Sequence, residues 1–150
     1  MGNILSNIFQ AKKDNKKSLA VLIDPDSLSK KVLEQQMMDA IDANVDYFFI
    51  GGSMITDDCL DETLSFLKDN TSIPIVIFPG SVYQINEKAD AILFLSLISG
   101  RNADLLIGKH VLAAPMIKKS GIEVLPTGYM LIDSGRPTTA SYVSGTLPIP

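Results

Sequence analysis

The sequence predicts a parallel α/β fold, and three observations carry that prediction. Its apolar runs are near-continuous, as in strands covered on both faces, not alternating. The first three begin near positions 19, 47 and 75, at the spacing of a strand–helix unit. The stretches between them carry apolar residues at helical intervals.

The first run, Leu19-Ala20-Val21-Leu22-Ile23, leads into Asp24-Pro25-Asp26-Ser27. A helix is expected from about Leu28 to Ala43, with Leu28, Val32, Leu33, Met37, Ala40 and Ile41 on one face and Asp26 or Ser27 as N-cap. The second strand, Tyr47 to Ile50, ends in Gly51-Gly52-Ser53; a helix from about Asp57 to Asp69 follows, capped by Thr56 and turning Leu60, Leu64 and Leu67 inward. The third run, Ile75-Val76-Ile77-Phe78, is followed by Pro79-Gly80-Ser81, and there the rhythm breaks. The next strand, Ala91 to Leu97, comes too soon for a helical crossover, so Val82 to Asp90 holds one turn at most. The missing layer helix leaves one of two things: an apolar groove for a long hydrocarbon, or a face that an oligomer partner covers.

Strand four runs through Ser99-Gly100-Arg101-Asn102 into a helical pattern from Ala103 to Lys119. Leu105, Leu106, Leu112, Met116 and Ile117 are its expected buried stripe, and Pro115 is expected to kink or end it. Gly121 suits the C′ position, and Ile122-Glu123-Val124-Leu125 reads as strand five. Pro126-Thr127-Gly128-Tyr129-Met130-Leu131-Ile132 and a polar tract from Asp133 to Thr146 complete the pattern.

Composition narrows the function classes. The 150 residues, 46% of them hydrophobic, suit one domain with a substantial core, 1–150. No apolar segment approaches the ~20 residues that span a bilayer, and the N-terminus lacks signal-peptide features, so the expected setting is soluble and cytoplasmic. A net charge of −4 argues against a nucleic-acid surface. Lys12, Lys13, Lys16 and Lys17 read as the solvated end of a leader helix, though they also admit transient membrane-surface contact. The single cysteine, Cys59, excludes an internal disulfide and reads as a small hydrophobe on a helix.

Asp24 stands where a βα turn begins, at the end of a strand at which α/β folds place ligands and metals. Gly51-Gly52-Ser53 offers backbone N–H groups and a hydroxyl at the next such turn, and the two together suggest a magnesium and phosphate site. Each has a plainer reading: Asp24 as the start of a turn, and the glycine pair as a tight connection. Ser81, Ser99 and Asn102 either hydrogen-bond a diphosphate or cap, Arg101 either grips phosphate or forms a surface ion pair, and Tyr129 either lines the site or fills the interior. His110 falls within a helix away from any motif and reads as an ordinary helix-face histidine.

Five motifs, in order, carry a resemblance: Leu22-Ile23-Asp24-Pro25-Asp26, Ile50-Gly51-Gly52-Ser53, Phe78-Pro79-Gly80-Ser81, Leu95 to Asn102, and Pro126-Thr127-Gly128-Tyr129. They resemble the geranylgeranylglyceryl phosphate synthase family, which includes bacterial heptaprenylglyceryl phosphate synthases, over nearly the whole chain. The resemblance implies a modified TIM (β/α)8 barrel that lacks one early layer helix, here only about its first five strands. It implies transfer of a prenyl group from a long prenyl diphosphate, geranylgeranyl diphosphate foremost, to sn-glycerol 1-phosphate, with an ether bond formed and pyrophosphate released. Asp24 and Ser53 fall on the family's Mg2+ positions, and assembly as a homo-oligomer is expected.

The departures are as informative. Leu22 stands where some relatives have lysine, and Ser27 where many do. A closed eight-stranded barrel takes ~250 residues, so the glycerol phosphate loops and the catalytic residue are expected beyond Pro150. Two alternatives stand beside the enzyme: a truncated, non-catalytic polyprenyl- or phosphate-binding module, and a doubly wound Mg-binding nucleotide or receiver-like domain. The absent glycine fingerprint after strand one and the missing third helix count against the latter.

Overall fold

A computed structural model describes residues 3–27, 29–52 and 59–150. Helix α1 (Ile4–Lys13) comes first, with the Asn3 side chain accepting from the Ser6 N–H at its N-terminus. Strands β1 (Ala20–Ile23), β2 (Tyr47–Ile50), β3 (Ile75–Ile77), β4 (Ala91–Leu97) and β5 (Glu123–Tyr129) form one parallel sheet in the order β1-β2-β3-β4-β5. Sequential order without reversal is barrel order, and it excludes the doubly wound alternative, which needs a switch point.

Register explains the core. Ile23, Ile50, Ile77 and Ile92 lie opposite one another across four strands, all essentially inaccessible. Against this face pack α2 (Lys30–Asp42) through Leu33, Met37 and Ala40, and α3 (Cys59–Asn70) through Leu60, Leu64 and Leu67. Helix α4 (Lys109–Ser120) adds Ala113 and Ile117. The other face carries Val76, Ala91, Leu93 and Leu125, and Ile4 of α1 is buried among them. Helix α1 is held there by Glu123, whose carboxylate accepts from the N–H groups of Ile4 and Leu5, each at 2.8 Å. A carboxylate at a helix N-terminus satisfies orphan donors and complements the helix dipole.

The short crossover between β3 and β4 is confirmed: Val82–Gln84 is a single 3-10 turn. Side chains tie it down where a layer helix would otherwise sit. Asp61 of α3 accepts from Asn86 Nδ2 and Lys88 Nζ, and Asp90 accepts from Lys68 and from the Ile75 N–H.

Several expectations need correction. The N-cap of α2 is Ser29, not Asp26 or Ser27, because Pro25–Ser27 forms its own 3-10 turn ahead of the helix. Val32 and Ile41 of α2 are exposed, so its buried stripe is narrower than expected. Leu28, Thr56 and Asp57 lie outside the described residues. The stripe expected before and along α4 fails in part: Ile117 is buried and Leu105 half-buried, but Leu106, Leu112 and Met116 are exposed. The cause is a π-turn over Asp104–Gly108, which adds a residue per turn and takes positions before and after it out of one helical phase. Pro115 neither ends α4 nor leaves a buried orphan, since the carbonyl it frees belongs to Val111 on the exposed side. Gly121 closes α4 in the left-handed conformation, φ 73°. Strand β5 extends to Tyr129, and Leu97 pairs with it at the far end of a seven-residue ladder with β4. Within the polar tract, α5 (Thr139–Ser144) forms behind a capping box made by Thr138 and Ser141.

Candidate active site

The carboxyl ends of β1, β2 and β3 bring three loops to one end of the sheet. Asp24 follows β1 directly, is exposed, and accepts from the Asp26 N–H at 3.3 Å. Gly51 and Gly52 follow β2, and each is glycine for a spatial reason. A Cβ on Gly51 would fall 2.0 Å from the Phe78 carbonyl oxygen, and one on Gly52 would fall 2.7 Å from Asp24 Oδ1. The side-chain-free backbone therefore lets the Asp24 carboxylate lie directly against the second loop. Ser53, the other expected metal position, is outside the described residues.

A cavity of about 260 Å³ opens at this end. Asp24, Gly51, Gly52, Gly80 and Ser81 border it with polar groups; beyond them it is mostly apolar, with Lys109, His110, Tyr129 and Ser144 also in its lining. Val82 and Ile85 of the short crossover, Ile92 and Phe94 of β4, and Ala113 and Ile117 of α4 form its walls. The hollow thus occupies the place of the missing layer helix, as the spacing of strands three and four anticipates. An apolar groove is present at that gap.

The remaining expected site residues divide. Ser81 borders the cavity and also caps the 3-10 turn, its Oγ accepting from the Tyr83 N–H at 3.3 Å. Tyr129 lines the cavity with its ring edge-to-face on Phe78, centroids 5.7 Å apart. Ser99 and Asn102 instead hold the later chain. Ser99 Oγ accepts from the Leu131 N–H at 3.0 Å, and Asn102 Nδ2 donates to the Ser144 carbonyl at 2.9 Å while its Oδ1 accepts from the Asp104 N–H. Through Asn102, α5 is fixed so that Ala140, Val143 and Ser144 close one side of the cavity. Arg101 is exposed.

Two residues escaped the sequence reading. His110 lines the cavity, stacks on Phe94 at 4.1 Å, and places Nε2 2.7 Å from the Leu95 carbonyl oxygen. Its spacing from Ala113 and Ile117, three and seven residues, is the signal that puts it on the buried face. Gln84, 4% exposed, donates from Nε2 to the Gly52 carbonyl at 3.1 Å and accepts at Oε1 from the Gly80 N–H at 2.8 Å. A glutamine between apolar neighbours in a short crossover was its only mark.

Sequential parallel strands, a site at their carboxyl ends and one absent layer helix define a modified (β/α) barrel of the TIM type. Residues 12–150 match the PcrB family, and the chain belongs to it. It is 50% identical over 139 residues to the geranylgeranylglyceryl phosphate synthase of Spirosoma linguale, covering 93% of this chain and 56% of that protein. It is likewise 50% identical over 147 residues to that of Chitinophaga pinensis, covering 98% and 58%. Among solved structures, (S)-3-O-geranylgeranylglyceryl phosphate synthase from Thermoplasma acidophilum, in complex with sn-glycerol-1-phosphate, superposes with a TM-score of 0.91 at 32% identity. That match covers all of this chain and 60% of the other. The chain thus spans less than two thirds of the length of these relatives.

Proposed function

We propose that the protein is a prenyltransferase that joins geranylgeranyl diphosphate to sn-glycerol 1-phosphate. This chain contributes the diphosphate end and the prenyl groove of a single (β/α)8 domain. The observation that carries this reading is the continuity of a polar mouth at Asp24, Gly52 and Ser81 with an apolar hollow where a helix is missing. An amphiphile with a charged head and a long hydrocarbon tail matches that division. The relatives' names and the glycerol phosphate bound in the Thermoplasma structure support the same substrates.

The reaction forms a bond between the glycerol hydroxyl oxygen and the prenyl C1 and breaks the bond from C1 to the diphosphate oxygen. Pyrophosphate departs with the electron pair, and the hydroxyl proton goes to a base contributed by residues beyond the five strands. Mg2+ suits the donors at the mouth, because it takes oxygen ligands, keeps waters, and binds through one or two protein groups plus substrate phosphates. No cluster of three or more ligating His, Cys, Asp or Glu occurs among the described residues, so the substrate's own oxygens would complete the sphere. When bound it would offset charge developing on the leaving pyrophosphate. Asp24, with Ser53, would hold it; Ser81 and Tyr129 would meet the head and first prenyl unit, while Ser99 and Asn102 shape the wall. Homo-oligomeric assembly and a cytoplasmic setting belong to the same proposal; no helix among the described residues is long and apolar enough to cross a membrane.

The test is an assay of ether-lipid product from these two substrates with magnesium, using protein from its natural source whose intact mass is measured in parallel. Product formation is expected. A folded protein that yields none, and binds prenyl diphosphate without turnover, would replace the enzyme by a binding module. Asp24→Asn is expected to abolish magnesium-dependent pyrophosphate binding in calorimetry, and unchanged binding would remove Asp24 from the metal site.

A further inference from the structure

We propose that Gln84 is a positioning residue: its side-chain amide bridges the two glycine loops and sets the spacing of the anion-binding mouth. The proposal rests on the functional reading above and deepens it. Gln84 is buried, and both ends of its amide are used across the gap, Nε2 on the Gly52 carbonyl and Oε1 on the Gly80 N–H. Only one orientation of the amide satisfies both partners, since the reverse would set two donors against each other and two acceptors against each other. Gly52 abuts the Asp24 carboxylate, and Gly80 precedes Ser81, so the bridge joins the two polar edges of the mouth. A Cβ on Gly51 would come within 3.5 Å of Gln84 Oε1, so the loop is packed onto the amide as well as bonded to it.

The position of Gln84 in the chain gives the bridge a second connection. Its turn replaces the layer helix, and the residues around it, Val82 and Ile85, form the apolar wall of the cavity. One short segment therefore carries both the wall for the hydrocarbon and the tie that fixes the loops for the head group. A glutamine is required by reach and by chemistry: asparagine is one methylene too short to span both loops, and methionine fills the volume but bonds to neither.

The test uses the protein at its natural full length, with inorganic pyrophosphate and magnesium as probe. In Gln84→Met, calorimetry is expected to read roughly tenfold weaker pyrophosphate binding, the scale of a lost buried hydrogen bond. Hydrogen exchange at the Gly80 amide is expected to accelerate in parallel. Glu123→Ala, at the amino end of β5 and so at the opposite end of the sheet from the mouth, loosens α1 and is expected to change neither. Gln84→Asn keeps a polar amide in the buried site and is expected to lose binding in the same direction, which covers failure of the methionine variant to fold. Wild-type affinity in either folded glutamine variant would overturn the proposal. A wild-type protein that binds no pyrophosphate would instead overturn the functional reading, and unchanged Gly80 exchange would then overturn the bridge on its own.

Discussion

At the scale of single residues, the site is organised by what glycine leaves out. Gly51 has φ +155° and no room for a methyl, since the Phe78 carbonyl oxygen would lie 2.0 Å away. Gly51→Ala is therefore expected to cost on the order of 3 kcal/mol, measured by urea unfolding. A loss below about 1 kcal/mol would mean that the β2 and β3 loops separate freely. Asp24 was legible in the sequence because a carboxylate directly after an apolar run is conspicuous. Gln84 was not, because its importance lies in two backbone partners, Gly52 and Gly80, the first of them 32 residues away. His110 was legible in principle from its three- and seven-residue spacing to Ala113 and Ile117, but the alanine gives that face a weak apolar signal.

At the scale of elements, continuous apolar runs proved the dependable guide. Strand β4 occupies the expected Ala91–Leu97, and the short crossover that follows β3 contains a single turn. Helix α4 failed as a stripe because the π-turn before it breaks the 3.6-residue period on which the expectation rested. Helix α1 was legible only as a leader helix ending at its lysines, and α5 went unread as an element. The first depends on a carboxylate 119 positions away, and the second is six residues long with little apolar content of its own. The crossover also yields a pH prediction. Hydrogen bonds from Lys88 and Asn86, then the Lys88 charge, hold the Asp61 carboxyl below its ordinary 3.8. Its folded-state value is depressed, so its contribution to stability is present above the ordinary range and fades as pH falls through it. Lys88→Met is expected to flatten that part of the acid-unfolding profile followed by circular dichroism. An unchanged profile would show that the pair is fully screened by solvent.

At the scale of the whole molecule, the chain is more open than its mass requires. Its accessible surface is 9642 Å², whereas a compact protein of 16.3 kDa exposes about 7,500 Å². Strands β1 and β5 each have one neighbour in the sheet, and Leu19, Leu22 and Ile98 are more than half exposed. Open edges and apolar faces favour association. The 150-residue chain alone is expected to scatter light at a mass above 16.3 kDa at micromolar concentration, and a clean monomer would show that the faces are tolerated in water. The chain spans just over half the length of its Spirosoma and Chitinophaga relatives. Helix α1 also ties two distant parts of the chain together. Glu123→Ala is expected to remove about 1–2 kcal/mol by leaving the Ile4 and Leu5 N–H groups without their carboxylate, and a change under 0.3 kcal/mol in thermal unfolding would refute that anchor. The same tie imposes a schedule on synthesis. Residues 4 and 123 are separated by 119 positions, so at 5–20 residues per second the ribosome makes the helix roughly 6–24 s before its anchor exists. Throughout that interval the N-terminal N–H groups of α1 lack their native acceptor, so the docking of this helix waits on the arrival of β5.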